Sequence, residues 1–281
     1  MTLADAPFII QINNLCTDLA ATDWCEGSAG NFSLLLERDE VKPWLDLKSA
    51  SGMQIDLGES PETLAGKYLL ISGSGERLNR ISRDPEKSLA LLEISSNGDT
   101  CRLVWGLREG GKPSSELMVH LLGHHARLAE TGRSKAILHT HPIYAVVLSV
   151  IQPMNNRELS HILWRFHTEG AAVFPEGAAF LPVTALTPPG SEYLAKQTAD
   201  CFRRHRYVMW ERHGTIVAGD SLDECFMQNQ VAEKLFRIAY LSSNAGQQAI
   251  QYLKHYQMRY HLLEAVGKPF GVDNKHRYWE V

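Results

Sequence analysis

Lys135-Ala-Ile-Leu-His-Thr-His-Pro142 is the stretch from which the rest of this chain is read. A short apolar run ends in two histidines separated by one threonine, and a proline follows. Side chains alternate between faces along a strand, so His139 and His141 project from the same face. Pro142 suits the first turn of a following helix. Strand ends are where α/β folds keep their sites. Two imidazoles on one face, with a third ligand from elsewhere, make an open-sided site for a divalent metal such as zinc. The bare pattern also describes a strand with one packed and one exposed histidine, so the neighbouring motifs decide its weight.

The chain holds twelve histidines. His213 is the best placed to complete a ligand set, because it sits in a tight Arg-His-Gly turn between the apolar runs Tyr207–Glu211 and Thr215–Ala218. His120, His124 and His125 fall in a helical pattern, with His125 on the apolar face, read as a core residue or a support behind the site. The remaining histidines lie in polar or exposed settings. A cupin-type site wants a glutamate soon after the pair, and Pro142–Val150 contains none. A hydrolase of the H-x-H-x-D-H kind wants an aspartate and a histidine where Ile143 and Tyr144 stand.

Pro113-Ser-Ser-Glu116 opens the helical pattern that runs to Glu130. Serines at a helix start present hydroxyls and free backbone N–H groups, a setting that attracts anions and equally describes an ordinary cap. A carboxylate beside a metal can act as base on a carbon acid, which gives Glu116 a possible second task. Ser72-Gly-Ser-Gly75 follows a short strand, and Gly30-Asn31-Phe-Ser33 is similar; each is a ligand-approach loop or a plain turn. No G-x-x-x-x-G-K-[ST] stretch or dinucleotide fingerprint supports nucleotide binding.

Periodicity orders the rest. Phe8, Ile12, Leu15, Cys16 and Leu19 mark an opening helix ending near Trp24. Strands are expected at Asn31–Leu36, Lys67–Ile71, Lys135–His141, Ala171–Phe174, Tyr207–Glu211 and Thr215–Ala218. Residues 38–66 read as a loop region with one helical turn. Leu89–Ser95 and Thr100–Trp105 flank an Asn-Gly pair, the strongest short hairpin signal. Helices are expected at Ser191–Arg203, from the box Ser221-Leu-Asp-Glu224 to about Leu241, and over Gln247–Val266. Hairpins interleaved with helices predict one α/β domain over residues 1–281, with helices on both faces of a mixed sheet.

A chain of 281 residues, 44% hydrophobic, can bury a full core. A net charge of −4 with interspersed signs gives no basic surface for nucleic acid. The longest apolar run, near Ala145–Ile151, is far short of a membrane span, and the N-terminus does not read as a signal peptide. Five scattered cysteines without a C-x-x-C pair read as reduced thiols in the cytoplasm.

Taken together, Gly30-Asn31-x-Ser33, Ile71-Ser-Gly-Ser-Gly75, Trp105-Gly-Leu, Pro113-Ser-Ser-Glu116, His139-x-His141-Pro and Arg212-His213-Gly resemble the class II aldolase/adducin family of zinc-dependent sugar-phosphate aldolases. The likeness runs from about residue 10 to 265; each motif is weak, and their joint order and spacing are specific. It implies a three-layer α/β/α sandwich with a mixed, largely antiparallel central sheet. It implies one Zn2+ per subunit on His139, His141 and His213. The phosphate of dihydroxyacetone phosphate would meet Asn31, Ser74, Gly75, Ser114 and Ser115. Glu116 would move the proton at the nucleophilic carbon. Glu169 would reach a neighbouring subunit's site and handle the aldol hydroxyl. A homotetramer with sites at subunit interfaces, acting on a small sugar phosphate, is implied as well. Within the family, the Ser-Gly-Ser-Gly loop, Leu103-Val-Trp-Gly106, Thr168-Glu169-Gly, Val173-Phe-Pro-Glu-Gly177 and the chain length resemble the longer ketose-phosphate branch. That branch tends to carry an asparagine where this chain has Ser28. An epimerase using the same metal chemistry, and a non-catalytic adducin-like protein, are the rival readings; the intact ligand and acid positions argue against the latter.

Overall fold

The computed structural model describes residues 3–47, 53–58, 61–184 and 188–243. In chain order its elements are α1 (Pro7–Ala20), β1 (Asn31–Leu36), α2 (Arg38–Val41), β2 (Gln54–Asp56), β3 (Tyr68–Ser72), α3 (Pro85–Ser88), β4 (Leu89–Ile94), β5 (Thr100–Gly106) and α4 (Leu117–Thr131). There follow β6 (Ala136–Thr140), α5 (Ile143–Ile151), α6 (Asn156–Arg165), α7 (Thr168–Val173), β7 (Ala179–Leu181), α8 (Glu192–Phe202), β8 (Tyr207–Trp210), β9 (Gly214–Gly219) and α9 (Leu222–Ser243).

The strands form one sheet in the order β2-β5-β4-β3-β1-β6-β9-β8-β7. Every described ladder is antiparallel except β7 on β8. The expected mixed, largely antiparallel sheet is therefore what the chain builds. Its central strands β1, β3 and β6 are buried along their whole length, which is why they read as apolar runs rather than as alternation.

Alternate residues of these strands serve two helical layers. Phe32, Leu34, Tyr68, Leu70 and Leu138 pack with α1, α5, α6 and α9 on one face. Leu35, Leu69, Ile71 and Leu92 pack against α4, and Ile137, Val208, Ile216 and Ala218 against α4 and α8, on the other. Each Leu, Ile, Val or Phe among them contributes about 1.5–3 kcal/mol relative to exposure. The odd-numbered face of β1 and β6 also carries Asn31, Ser33 and His139, so the period of two aims these polar groups at α4. The register pairs Asn31 with His139 across the β1–β6 ladder.

Several expectations need correction. The opening helix stops at Ala20, because the chain must turn there for Trp24 to stack on Phe226 at 5.3 Å and to bond the strand end through its carbonyl. Residues 38–66 contain the edge strand β2, whose Gln-Ile-Asp has one half-buried apolar residue between two exposed polar ones, too little to read as a strand. Ala171–Phe174 is not a strand. Its first residues belong to α7, opened by His167, whose Nδ1 accepts from the Glu169 N–H. Helix α6 and strand β7 were not foreseen. The hairpin β4–β5 forms with Asn97-Gly98 at its tip, Gly98 taking a φ of 76°. The proposed helix Gln247–Val266 lies outside the described residues.

Close packing of α7 on α6 rests on Gly170. A Cβ there would stand 1.7 Å from the Leu163 carbonyl oxygen, deep inside contact distance. We expect Gly170→Ala to lower stability by roughly 1–3 kcal/mol, as overpacked sites do. A denaturant titration with an unchanged midpoint would contradict this helix contact.

Candidate active site

Three segments deliver the three histidines. His139 is held in β6, and its Nδ1–H donates to the Thr215 carbonyl of β9 at 2.8 Å. His141 lies one residue past β6, its backbone N–H donating to Trp24 O at 2.8 Å and its Nδ1–H to Glu26 Oε1 at 2.8 Å. His213 sits in the turn between β8 and β9. Arg212 adopts a φ of 56° there, its N–H donating to Ser149 Oγ at 2.9 Å. A left-handed arginine is uncommon and persists where its surroundings fix it. Gly214 completes the turn, since a Cβ on it would meet Thr140 O at 2.4 Å and His141 Cδ2 at 2.7 Å. The buried Trp210 ring lies 4.6 Å from the His139 ring and 5.0 Å from that of His213, forming a floor beneath both.

The ligand nitrogens all lie within 4.8 Å of one another. Thr215 O and the Glu26 carboxylate can only accept, so Nδ1 carries the proton in both His139 and His141. The nitrogen left to each ring for a ligand is therefore Nε2, and the two Nε2 atoms stand 3.2 Å apart. Two lone pairs that close repel unless a cation lies between them. Two nitrogens at the ~2.0–2.1 Å of a tetrahedral zinc site are about 3.3 Å apart, so the donor set fits such an ion. Burial, with the neighbouring imidazoles, pushes the pKa of both His139 and His213 down to about 3. The rings are thus neutral at pH 7 and hold lone pairs ready for a ligand role.

Glu116 stands at the entry to α4, buried, with Oε2 3.8 Å from His139 Nε2. His139 is neutral, so this is not an ion pair. Burial raises the Glu116 carboxyl above its ordinary value, opposed by a hydrogen bond from Asn31 and by His213 and His141. Asn31 Nδ2 donates to Glu116 Oε2 at 2.8 Å.

The two serine motifs are stitched together. Ser114 N–H donates to Ser72 O at 3.0 Å, Ser74 N–H to Lys112 O at 2.8 Å, and Gly73 bridges to Pro113. Ser114 is buried and its Oγ accepts from the Glu116 N–H at 3.2 Å in the turn before α4, whose own N-cap, Glu116, makes no side-chain cap bond. Ser74, Gly75 and Ser115 are exposed on these joined loops. Glu169 is not among them. It is exposed in the first turn of α7, whose flanking residues pack into the helical layer on the other face of the sheet. Ser28 is exposed.

Sequence reasoning missed Glu26 and chose the wrong helix histidine. His125 is half-buried and bonds Thr63 Oγ1 through Nδ1 at 2.9 Å. The fully buried pair is His120 and His124, because α4 is covered by the sheet on one side and by α8 on another. A signal was present: Glu116, His120 and His124 fall at i, i+4 and i+8, one row on a helix face.

The family described as "Class II Aldolase and Adducin N-terminal domain" matches residues 10–240. The chain is 31% identical to the rhamnulose-1-phosphate aldolase of Listeria innocua over 278 residues, 98% of this chain and 97% of that one. It is 30% identical to that of Enterococcus faecalis over 247 residues, 88% and 87% of the two chains. Among solved structures, a sugar-phosphate aldolase from Thermotoga maritima superposes with a TM-score of 0.70 at 24% identity, covering 85% of this chain and 96% of the other. L-fuculose-1-phosphate aldolase from Thermus thermophilus gives 0.54 at 22% identity, covering 85% and 96%. The chain belongs to the class II aldolase and adducin family. It is an enzyme of the metal-dependent aldolase class.

The hydrogen bond to Glu26 orients His141, and such outer partners are typically worth 10–100-fold in metal affinity. We expect Glu26→Ala to weaken divalent-metal binding by roughly that factor and His141→Ala to abolish stoichiometric binding. Competition with a chromogenic chelator measures both. Unaltered affinity in Glu26→Ala would show that the contact is idle.

Proposed function

We propose that this enzyme cleaves L-rhamnulose 1-phosphate reversibly to dihydroxyacetone phosphate and L-lactaldehyde, with Zn2+ held by His139, His141 and His213. The observation that carries the reading is a buried carboxyl standing beside three convergent imidazoles, 3.8 Å from the nearest. The ion would supply the positive charge that stabilises the enediolate left when the carbon–carbon bond parts. Glu116 gives its proton to the nucleophilic carbon in the cleavage direction and removes one in the reverse. A carboxyl whose pKa is raised by burial is suited to both. The phosphate is met by Asn31, Ser74, Gly75, Ser114 and Ser115, on the two stitched loops and the adjoining start of β1. Asn31 already gives one amide hydrogen to Glu116, so at most one remains for the phosphate.

The aldehyde end is completed by Glu169 of a second subunit, handling the aldol hydroxyl in a homotetramer. Its exposure, with α7 packed on the far face of the sheet, supports a role outside its own chain's site. The nine strands among the described residues share one sheet, which supports reading residues 1–281 as one domain. Five free cysteines support a reducing, cytoplasmic location. Among the described residues no helix is long and apolar enough to cross a membrane. The relatives in Listeria and Enterococcus support the choice of ketose.

We expect Glu116→Gln to keep its metal while proton exchange on dihydroxyacetone phosphate slows by ~10²-fold or more. Deuterium uptake followed by NMR reads this, and undiminished exchange would remove Glu116 from the role. Glu169→Gln is expected to keep that exchange and to lose cleavage by ~10²-fold. Side-by-side cleavage of rhamnulose, fuculose and ribulose phosphates, with and without chelator, tests the substrate; a clear preference for either of the latter two would overturn the assignment.

A further inference from the structure

Behind Glu116 and Asn31 lies a row of polar groups, buried except for the half-buried Ser134, that the proposed chemistry does not use. Asn31 Oδ1 meets His120 Nε2 at 2.6 Å. Ser33 Oγ meets His120 Nδ1 at 2.7 Å and His124 Nε2 at 2.9 Å. His124 Nδ1 meets Ser134 Oγ at 2.7 Å. Ser134, half-buried, lines an open cavity with Arg127, Arg133 and Arg206. The row thus runs from the carboxylate, between β1 and α4, to the opposite end of the sheet.

The direction of every bond in it follows from one fixed point. The Asn31 amide N–H donates to Glu116, so its oxygen faces His120 and can only accept. His120 therefore carries its proton on Nε2 and offers a bare Nδ1. The Ser33 hydroxyl must donate to that Nδ1, so its oxygen accepts from His124 Nε2–H. His124 in turn has a bare Nδ1, which accepts from the Ser134 hydroxyl. This assignment needs both rings neutral. Burial drives His120 well below its ordinary pKa and His124 down to about 3.

We propose that the chain Ser134–His124–Ser33–His120–Asn31 is a positioning device for Glu116, polarised throughout toward its carboxylate. It rests on the reading of Glu116 as the proton carrier. The device transmits orientation and not protons, because the Asn31 amide interrupts any relay. Its effect is to forbid the flipped amide, which would turn an oxygen lone pair on the carboxylate, and to hold Oε2 beside the ligand trio. Displacing a reacting group by about 1 Å can cost ~10²-fold in rate, so a small rotation at Asn31 matters.

Two measurements test it on the full, metal-loaded chain. Nitrogen-15 NMR of labelled histidine is expected to show His120 and His124 both in the Nε2–H form at pH 7. An Nδ1–H form in either ring would overturn the stated direction. Substitution at His120 separates positioning from filling. In His120→Gln the amide reaches the place of Nε2 and can still donate to Asn31, whereas in His120→Asn it reaches only the place of Nδ1. Exchange on dihydroxyacetone phosphate is expected to fall by about tenfold in His120→Asn and distinctly less in His120→Gln, with KM and metal content matched. Equal exchange in the two variants would overturn the proposal. Should His120→Asn not fold, the tautomers of the unsubstituted chain still decide it. An unsubstituted enzyme that exchanges no proton would instead refute the reading of Glu116, and the tautomers would be read independently.

Discussion

The constraint on which this structure depends is that the two strands at the middle of its sheet bury polar side chains. Asn31, Ser33 and His139 lie in β1 and β6, where every residue is buried. A buried polar group left without a partner costs roughly 1–3 kcal/mol. The sequence meets that demand from one direction, by setting Glu116, His120 and His124 along a single row of α4. Helix, strand pair and site are consequently one unit, and none can shift by a residue without stranding several of these groups.

The ligand trio follows the same logic from the other side of β6. Thr215 O and Glu26 fix the protonated nitrogen of His139 and His141, so that the bare nitrogens converge. The strained turn at Arg212 and the absent side chain of Gly214 bring His213 up to them. Positive charge is thus invited beside a buried carboxyl. An arrangement organised in advance of any ligand is what a charge-developing reaction rewards.

Much of this was legible in the sequence, for reasons that differ between elements. The central strands announced themselves because burial on both faces demands continuous apolar runs. The β4–β5 hairpin was announced by Asn97-Gly98, where Gly98 takes a positive φ that few other residues tolerate. The histidine trio was legible because two side chains two apart on a strand must share a face. Other parts left no local trace. Helix α7 contains a β-like Ala-Ala-Val run, and its helical state is set by a histidine cap and by packing on α6. Strand β2 is short and polar because it is an edge. Glu26 was invisible since it acts through one contact with a residue 115 positions away. His120 and His124 were overlooked because apolar periodicity ranks a polar residue as solvent-facing, although their spacing from Glu116 was in plain view.

Both described borders of the sheet are three-residue strands, β2 at one end and β7 at the other. Such stubs offer few open backbone groups to a foreign strand, which blunts recruitment into fibrils or endless ribbons. Copies of this molecule are thereby steered to meet through helices and loops. Growth by adding strand to strand is disfavoured at both described edges.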